Sequence, residues 1–331
     1  MPVALTLVFV GGSERAVPTL GSLLARDDVT VAYGIFMPGH ANEHRFCDEL
    51  AELATGAAVP FSVTDRIAGD EIARVRAAAP DLILGGGIWR SYIPSEFWER
   101  SRLGYIGLHG SGLPGYRGWA GFNWYILNGE PEFVARMFRL DEGLDSGPLV
   151  CDAGGEAIER RIDLRNELHA AELLDEYATA HADAVQQLID LAIAGELTFR
   201  PQDEAGATYT CHRGPEDGEI DWRATTEQVF NAIRAQSRPY PGAYTHFRGR
   251  RVLVWRARPR PDYAMYVGRI AGKVVTRDRE SGSVVVLTGD GGIEILDAEE
   301  PERGITVPCE IFDSVRRRCQ TWVEARLGRD V

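Results

Sequence analysis

An α/β domain built on a parallel sheet, followed by a small β-barrel domain, is the fold class that the 331-residue sequence predicts. Three observations point there. Apolar runs of strand length alternate with amphipathic segments of helix length through the first 200 residues. Glycine clusters close several of these runs, at Gly11–Gly12, at Gly85–Gly87 and within 107–118. A turn-rich stretch then gives way to short strands at close spacing. The boundaries follow as 1–200 for the Rossmann-like α/β domain and 201–331 for the OB-like barrel domain, with the linker near 197–218.

In chain order, "VALTLVFVGG" (3–12) is an apolar run ended by two glycines, the pattern of a buried parallel strand entering a tight turn. "RAVPTLGSLLARDD" follows with helical spacing of Val17, Leu20, Leu23 and Leu24. "VTVAYGIF" (29–36) is a second strand, and "EHRFCDELAELATG" a helix that stops on Gly56. "DEIARVRAAAPDLILGGG" reads as helix, proline break and strand, and "YIGLH" (105–109) as one more short strand. "WAGFNWYILNGE" (119–130) is a short helix. "EFVARMFRL" (132–140) alternates as a strand and runs into "DEGLDSG" (141–147), and a long charged helix is expected over 163–195. In the second domain one helix, "TTEQVFNAIRAQ", precedes the strands "RVLVWRA", "GRIAGKVV", "GSVVVLTGDG" and "GIEILDA".

Composition narrows the function classes. The chain is 44% hydrophobic and 26% charged, ordinary for a soluble protein, and holds no uninterrupted apolar run of membrane-spanning length. Its first residues read as a strand, not a signal peptide. Five cysteines with no CxxC pair suit a reducing compartment, so a cytoplasmic protein with no metal site is expected. The net charge is −13, and residues 1–200 carry 29 acids against 16 arginines. That balance argues against a nucleic-acid-wrapping surface. The arginines of "FRGRRVLVWRARPRP" (247–261) alternate with apolar residues, as on the solvated face of a strand.

The stretch most loaded with chemistry is "GLHGSGLPGYRG" (107–118), where glycines surround His109. A strand-end histidine that acts as a base near neutral pH needs an orienting acid. Asp145 sits in "DEGLDSG", at the end of the next sheet strand, and neighbouring strand ends would bring the two together. A histidine and an aspartate alone fit a structural role equally well. Asp141 and Asp145 are also common turn or cap residues, and Arg117 could simply anchor its loop.

The wider order of motifs adds specificity. Leu-His-Gly-Ser-x-Leu-Pro-x-Tyr-Arg-Gly is followed by Asn-Trp, Asn-Gly-Glu and Leu-Asp-x-x-x-Asp-x-Gly. "PDLILGGGIWRSYIP", "RGPEDGEIDW", "FNAIRAQSRPYPGA" and "LTGDG" accompany them. This set resembles the folate-dependent formyltransferases: methionyl-tRNA formyltransferase, glycinamide ribonucleotide formyltransferase and, most closely, the sugar N-formyltransferases. The resemblance implies 10-formyltetrahydrofolate as donor, His109 and Asp145 as the catalytic pair, and a primary amine on a small molecule as acceptor. It places Ile88, Trp89 and Arg90 and the loop containing Asp141 and Gly143 against the pterin, with Ser111, Leu113 and Pro114 beside the folate. At one position the sequence departs from the family, which carries an asparagine two residues before the histidine where this chain has Gly107. Three functions stay open: formyl transfer to a small amine; altered chemistry on the same scaffold (another acyl or one-carbon transfer, donor hydrolysis or a condensation); and silent binding of folate or a nucleotide sugar. The acidic first domain argues against tRNA as partner, no membrane partner is expected, and a homodimer is compatible with all three.

Overall fold

The computed structural model describes residues 4–39 and 44–328. Val3 and Glu43, which open the first predicted strand and the second predicted helix, lie outside these. The chain divides into two compact units. One comprises residues 1–118, 133–162 and 175–210, the other 119–132, 163–174 and 211–331.

The first unit is built on β1 (Leu5–Gly11), α1 (Ala16–Leu24), β2 (Val29–Phe36), α2 (Phe46–Gly56), β3 (Phe61–Val63), α3 (Gly69–Ala78), β4 (Leu82–Gly85), α4 (Ser95–Trp98), β5 (Tyr105–His109) and β6 (Arg117–Gly118). After α5 (Gly121–Leu127), which groups with the second unit, come β7 (Glu132–Arg139), β8 (Leu149–Cys151), β9 (Glu159–Asp163), α6 (Ala170–Ala194), β10 (Thr198–Arg200) and β11 (Tyr209–Thr210). The main sheet runs β10-β8-β7-β5-β4-β1-β2-β3, with β9 pairing to β7. Strands β3, β2, β1, β4 and β5 are parallel. Their order reverses direction at β1 and β4, the place where open α/β sheets bind ligands.

Both faces of the parallel strands are covered, which explains their apolar runs. On β1, Leu5, Leu7 and Phe9 pack with Leu20 and Leu23 of α1 and Val185, Leu188 and Ile189 of α6. The alternate residues Val8 and Val10 pack with Val75, Phe97 and Tyr105 on the other face.

Two predicted elements change. The long helix begins at Ala170, not at 163, because 159–163 is strand β9 and Glu167 takes a left-handed φ of +57° that ends helical continuity ahead of it. The predicted linker is partly sheet: β10 pairs with β8 and β11 with β6.

A buried histidine supplies a pH dependence. Thr19 Oγ donates to the Arg15 carbonyl at 2.7 Å, so in its 3.0 Å contact with His181 Nδ1 the imidazole is the donor. Nε2 is then a bare nitrogen, buried with no partner. Burial pushes the His181 pKa down to about 3. In the unfolded chain the residue takes a proton below about 6.5. Its contribution is therefore complete above that pH and is lost as pH falls towards 3. Unfolding free energy should drop by about 2 kcal/mol from this group between pH 8 and pH 5. His181→Gln should flatten the profile by that amount, and an unchanged profile would contradict the assignment.

The second unit contains α7 (Thr226–Ala235), β12 (Ala243–Phe247), β13 (Arg250–Arg260), β14 (Val274–Arg277), β15 (Val284–Leu287), β16 (Gly292–Glu299), α8 (Pro308–Ile311) and α9 (Trp322–Arg326). Its antiparallel sheet runs β12-β13-β16-β15-β14. Single bridges His246↔Gln320 and Lys273↔Arg318 join residues 318–320 to both ends of that order. Of the predicted strand "GRIAGKVV" only the end is strand-like: Lys273 bridges Arg318, and Val274 and Val275 open β14. Arg269 ties the preceding loop to the carbonyls of Tyr263, Thr288 and Gly291, and Gly272 turns at φ +80°. Three arginines of β13 are matched by acids, Arg250 to Glu300, Arg258 to Glu294, and Arg260 to Asp262 and Glu294, while Arg251 lies over the Tyr244 ring. Among the described residues no helix is long and apolar enough to cross a membrane.

Candidate active site

The site is built where β5 ends. His109 Nε2 lies 3.7 Å from Asp145 Oδ2 and 3.3 Å from the Tyr116 carbonyl. The edge of Phe138 packs on the imidazole at 6.0 Å between centroids. The two side chains are 16% and 18% exposed, so the pair is shielded yet reachable.

Asp145 arrives by a route that the sequence pattern misjudges. A parallel neighbour would place the loop after β7 beside the end of β5. Instead β7 is antiparallel to β5, with His109 opposite Arg136 and Ile106 opposite Arg139. The loop therefore starts beside the other end of β5, where Leu140 N donates to the Tyr105 carbonyl at 2.8 Å, and folds back to bring Asp145 to His109. The fold-back is tight. Asp141 Oδ1 accepts from Gly143 N and Ser146 Oγ at 3.0 and 2.9 Å. A Cβ on Gly147 would meet the Arg139 carbonyl at 1.8 Å, so that position must be glycine, and one on Gly143 would displace Ser146 Oγ from Asp141. Asp145 itself takes a left-handed φ of +51°, which aspartate tolerates better than most residues. Its Oδ2 accepts from Gly118 N at 2.8 Å.

A residue that sequence reasoning missed holds this loop. Gln202 Nε2 donates to the carbonyls of Asp145 and Gly147 at 2.8 and 2.7 Å. Its Oε1 accepts from Arg117 Nε and Nη2 at 3.1 and 2.9 Å. Arg117 is 1% exposed and also makes a two-pronged contact with Glu204, at 3.0 and 2.7 Å. Arg117 is thus an anchor for its loop, and through Gln202 it fixes the backbone of Asp145. Nothing local in the turn-rich 197–218 stretch marks Gln202, whose partners lie 55 to 85 residues away.

The other predicted residues fall into three groups. Ser111 is fully buried and donates to the Gly115 carbonyl at 2.9 Å; Leu113 is fully buried with Phe138, Leu149 and Cys151. These side chains hold the loop together and turn away from solvent. Ile88 and Arg90 are exposed beyond the end of β4, while Trp89 packs on the core with its Nε1 buried and unpartnered. Ser13 Oγ is also buried without a partner, 2.4 Å from where a Cβ on Gly87 would stand. The glycines at 85–87 therefore have packing reasons, with Tyr105, Phe9 and Ser13 closing on them in turn. Gly107 has none: a Cβ there would meet only the Tyr105 ring, at an ordinary 3.7 Å. Asn123, the nearest asparagine in sequence, is committed within the second unit, donating to the Ala235 carbonyl at 2.7 Å.

Fold and site together define a two-unit α/β protein with a histidine at the end of a parallel strand and an aspartate folded back beside it. The chain belongs to the formyl transferase family: the formyl transferase model matches residues 57–174 and the model of its C-terminal domain residues 214–314. Among solved structures, HypX from Aquifex aeolicus in complex with tetrahydrofolic acid is 18% identical, with 95% of this chain and 48% of that one covered at a TM-score of 0.60. An N-formyltransferase from Helicobacter canadensis in complex with folinic acid and dTDP-3-aminofucose is 17% identical over 88% of this chain and 98% of that one, TM-score 0.62. Methionyl-tRNA formyltransferase from Clostridium thermocellum is 18% identical over 81% and 96%, TM-score 0.53. At these identities the likeness is one of fold. The chain spans about half the length of the HypX chains it matches.

Proposed function

We propose that this protein transfers a formyl group from 10-formyltetrahydrofolate to a primary amine of a small molecule, an amino sugar nucleotide or an amino-acid-derived compound. The observation that carries the reading is the His109–Asp145 pair at the end of β5 in a formyl transferase fold. His109 Nε2 faces Asp145 and the Tyr116 carbonyl, which leaves Nδ1 to take the proton from the attacking amine. Asp145 holds the ring and stabilises the imidazolium, which returns the proton to the leaving nitrogen. The donor supplies an activated formyl carbonyl. Ile88–Arg90 and the backbone of 141–145 would flank its pterin, where the unpartnered Trp89 Nε1 offers a hydrogen bond. The loop of Ser111 and Leu113 would contribute backbone groups.

The second unit is read as an OB-like barrel, supported by the bridges at 318–320. Five unpaired cysteines fit the cytoplasm. The charge of −13, with Arg250, Arg258 and Arg260 of β13 paired to acids, favours a small acceptor over tRNA.

Reduced folate should stabilise the protein. At a hundred times its dissociation constant a ligand adds about 2.7 kcal/mol, and about 1 kcal/mol moves the melting temperature of a 150–250-residue domain by about 2–4 °C. A rise of several degrees with 5-formyltetrahydrofolate is expected in a thermal melt. No shift at saturating folate would remove the donor assignment.

Gly107 favours a second reading, altered chemistry on the same scaffold, because the space it leaves is open. Gly107→Asn separates the possibilities. An enzyme merely short of a hydrogen-bond donor would gain formyl transfer by about one to three powers of ten. A glycine kept for room would instead lose native turnover when filled. The protein's own atoms tolerate the new Cβ, and a thermal melt of the variant separates a loss at the reacting groups from a loss of folding. The loss is the expected result; a clear gain in formyl transfer without loss of native activity would contradict it.

A further inference from the structure

Charge developing on the formyl oxygen needs a hydrogen-bond donor, and position 107 has no side chain to provide one. Of the polar side chains close to position 107 in the sequence, Ser111 is spent on the Gly115 carbonyl and Asn123 on the Ala235 carbonyl. The face of β5 that carries His109 offers one more. Alternate strand residues share a face, so Tyr105, Gly107 and His109 stand in a row. Ile83 pairs with Tyr105 and Gly85 with Gly107 across the strands.

The position of the phenol follows from its two glycine neighbours. A Cβ on Gly85 would lie 2.6 Å from the Tyr105 hydroxyl and 2.8 Å from its Cε1. A Cβ on Gly107 would lie 3.7 Å from the same Cε1. The Tyr105 ring therefore leans along the strand by about two residues, roughly 6.6 Å of rise, towards the strand ends. Its hydroxyl finishes at the level of residue 107, against the last residue of β4. Gly85 must be glycine to admit the phenol, and Gly107 leaves the space beside it open.

We propose that the Tyr105 hydroxyl donates the hydrogen bond to the formyl oxygen during transfer, and that Gly107 is the opening through which that oxygen reaches it. This rests on the reading of the site as a formyltransferase. The amine nitrogen forms a bond to the formyl carbon, and the carbonyl π pair moves onto oxygen, where the Tyr105 O–H binds it without giving up its proton. The pair then returns, the bond from carbon to the donor's nitrogen breaks, and that nitrogen takes the proton that His109 received from the amine. Burial holds the Tyr105 pKa well above its ordinary value, so the phenol stays protonated throughout. Its apolar surroundings, Val10, Ile83, Phe97 and Leu140, strengthen such a bond. Filling position 107 would block the approach, which agrees with the loss expected for Gly107→Asn.

Tyr105→Phe removes the hydroxyl and keeps the ring. The assay follows consumption of 10-formyltetrahydrofolate with hydroxylamine as the acceptor, alongside thermal melts. The expected result is a fall in kcat of about a hundredfold to a thousandfold, with the KM for the donor and the melting temperature unchanged. A wild-type kcat in the variant overturns the proposal. So does a fall accompanied by a lower melting temperature or a raised KM, which would mark a packing or donor-binding role. If the wild-type protein consumes no donor, the formyltransferase reading fails and this proposal with it. An active wild type beside an equally active Tyr105→Phe fails the proposal alone.

Discussion

His109→Ala is expected to abolish formyl transfer and to leave the fold intact. In the proposed mechanism the imidazole at the end of β5 takes a proton from the attacking amine, with its other nitrogen turned to Asp145 and the Tyr116 carbonyl. General base catalysis alone is worth about a hundredfold to ten-thousandfold. Here the same ring must also return the proton to the leaving nitrogen, so the loss should reach the upper end of that range. The ring packs on Phe138 at one edge and is partly exposed, so its removal leaves no large cavity. Rates from single-turnover mixing, with thermal melts as a control for folding, check this. Wild-type rates in the variant would remove His109 from the chemistry.

Asp145→Asn is the second large effect. The change is nearly isosteric, so the left-handed turn at φ +51° and the contact with Gly118 N can survive through the amide oxygen. What disappears is the negative charge beside the imidazolium. In other carboxylate–histidine pairs the same substitution costs about four powers of ten. The Asp145–His109 contact is longer than a hydrogen bond, at 3.7 Å, so a loss of about two to three powers of ten is expected. A variant with the wild-type rate would leave Asp145 with only its turn-forming role.

The parallel half of the fold is legible in the sequence because its signals are local. The strand at 29–36, the helix ending at Gly56 and the break at Pro80 each follow from runs, spacing and turn residues that lie within a few positions of one another. His109 and Asp145 are legible for a different reason, the ordered motifs around them. The misread parts depend on distant partners. The direction of β7 is set by its pairing with β5, and an alternating pattern reads the same for a parallel and an antiparallel strand. The start of α6 depends on the backbone of Glu167, an ordinary helix former in sequence terms. Gln202 and Tyr105 escaped notice because their roles come from contacts across the fold: Gln202 with Asp145, and the Tyr105 phenol with the space over Gly85 and Gly107.

The central claim is that the His109–Asp145 site moves a formyl group from a reduced folate onto an amine. The most direct measurement uses 10-formyltetrahydrofolate labelled with carbon-13 in the formyl group. It is incubated with the protein and a small-molecule extract, and the products are resolved by mass spectrometry. The account predicts a protein-dependent N-formyl product that carries the label and disappears with His109→Ala. Label released only as free formate, or retained entirely on the donor, would contradict it.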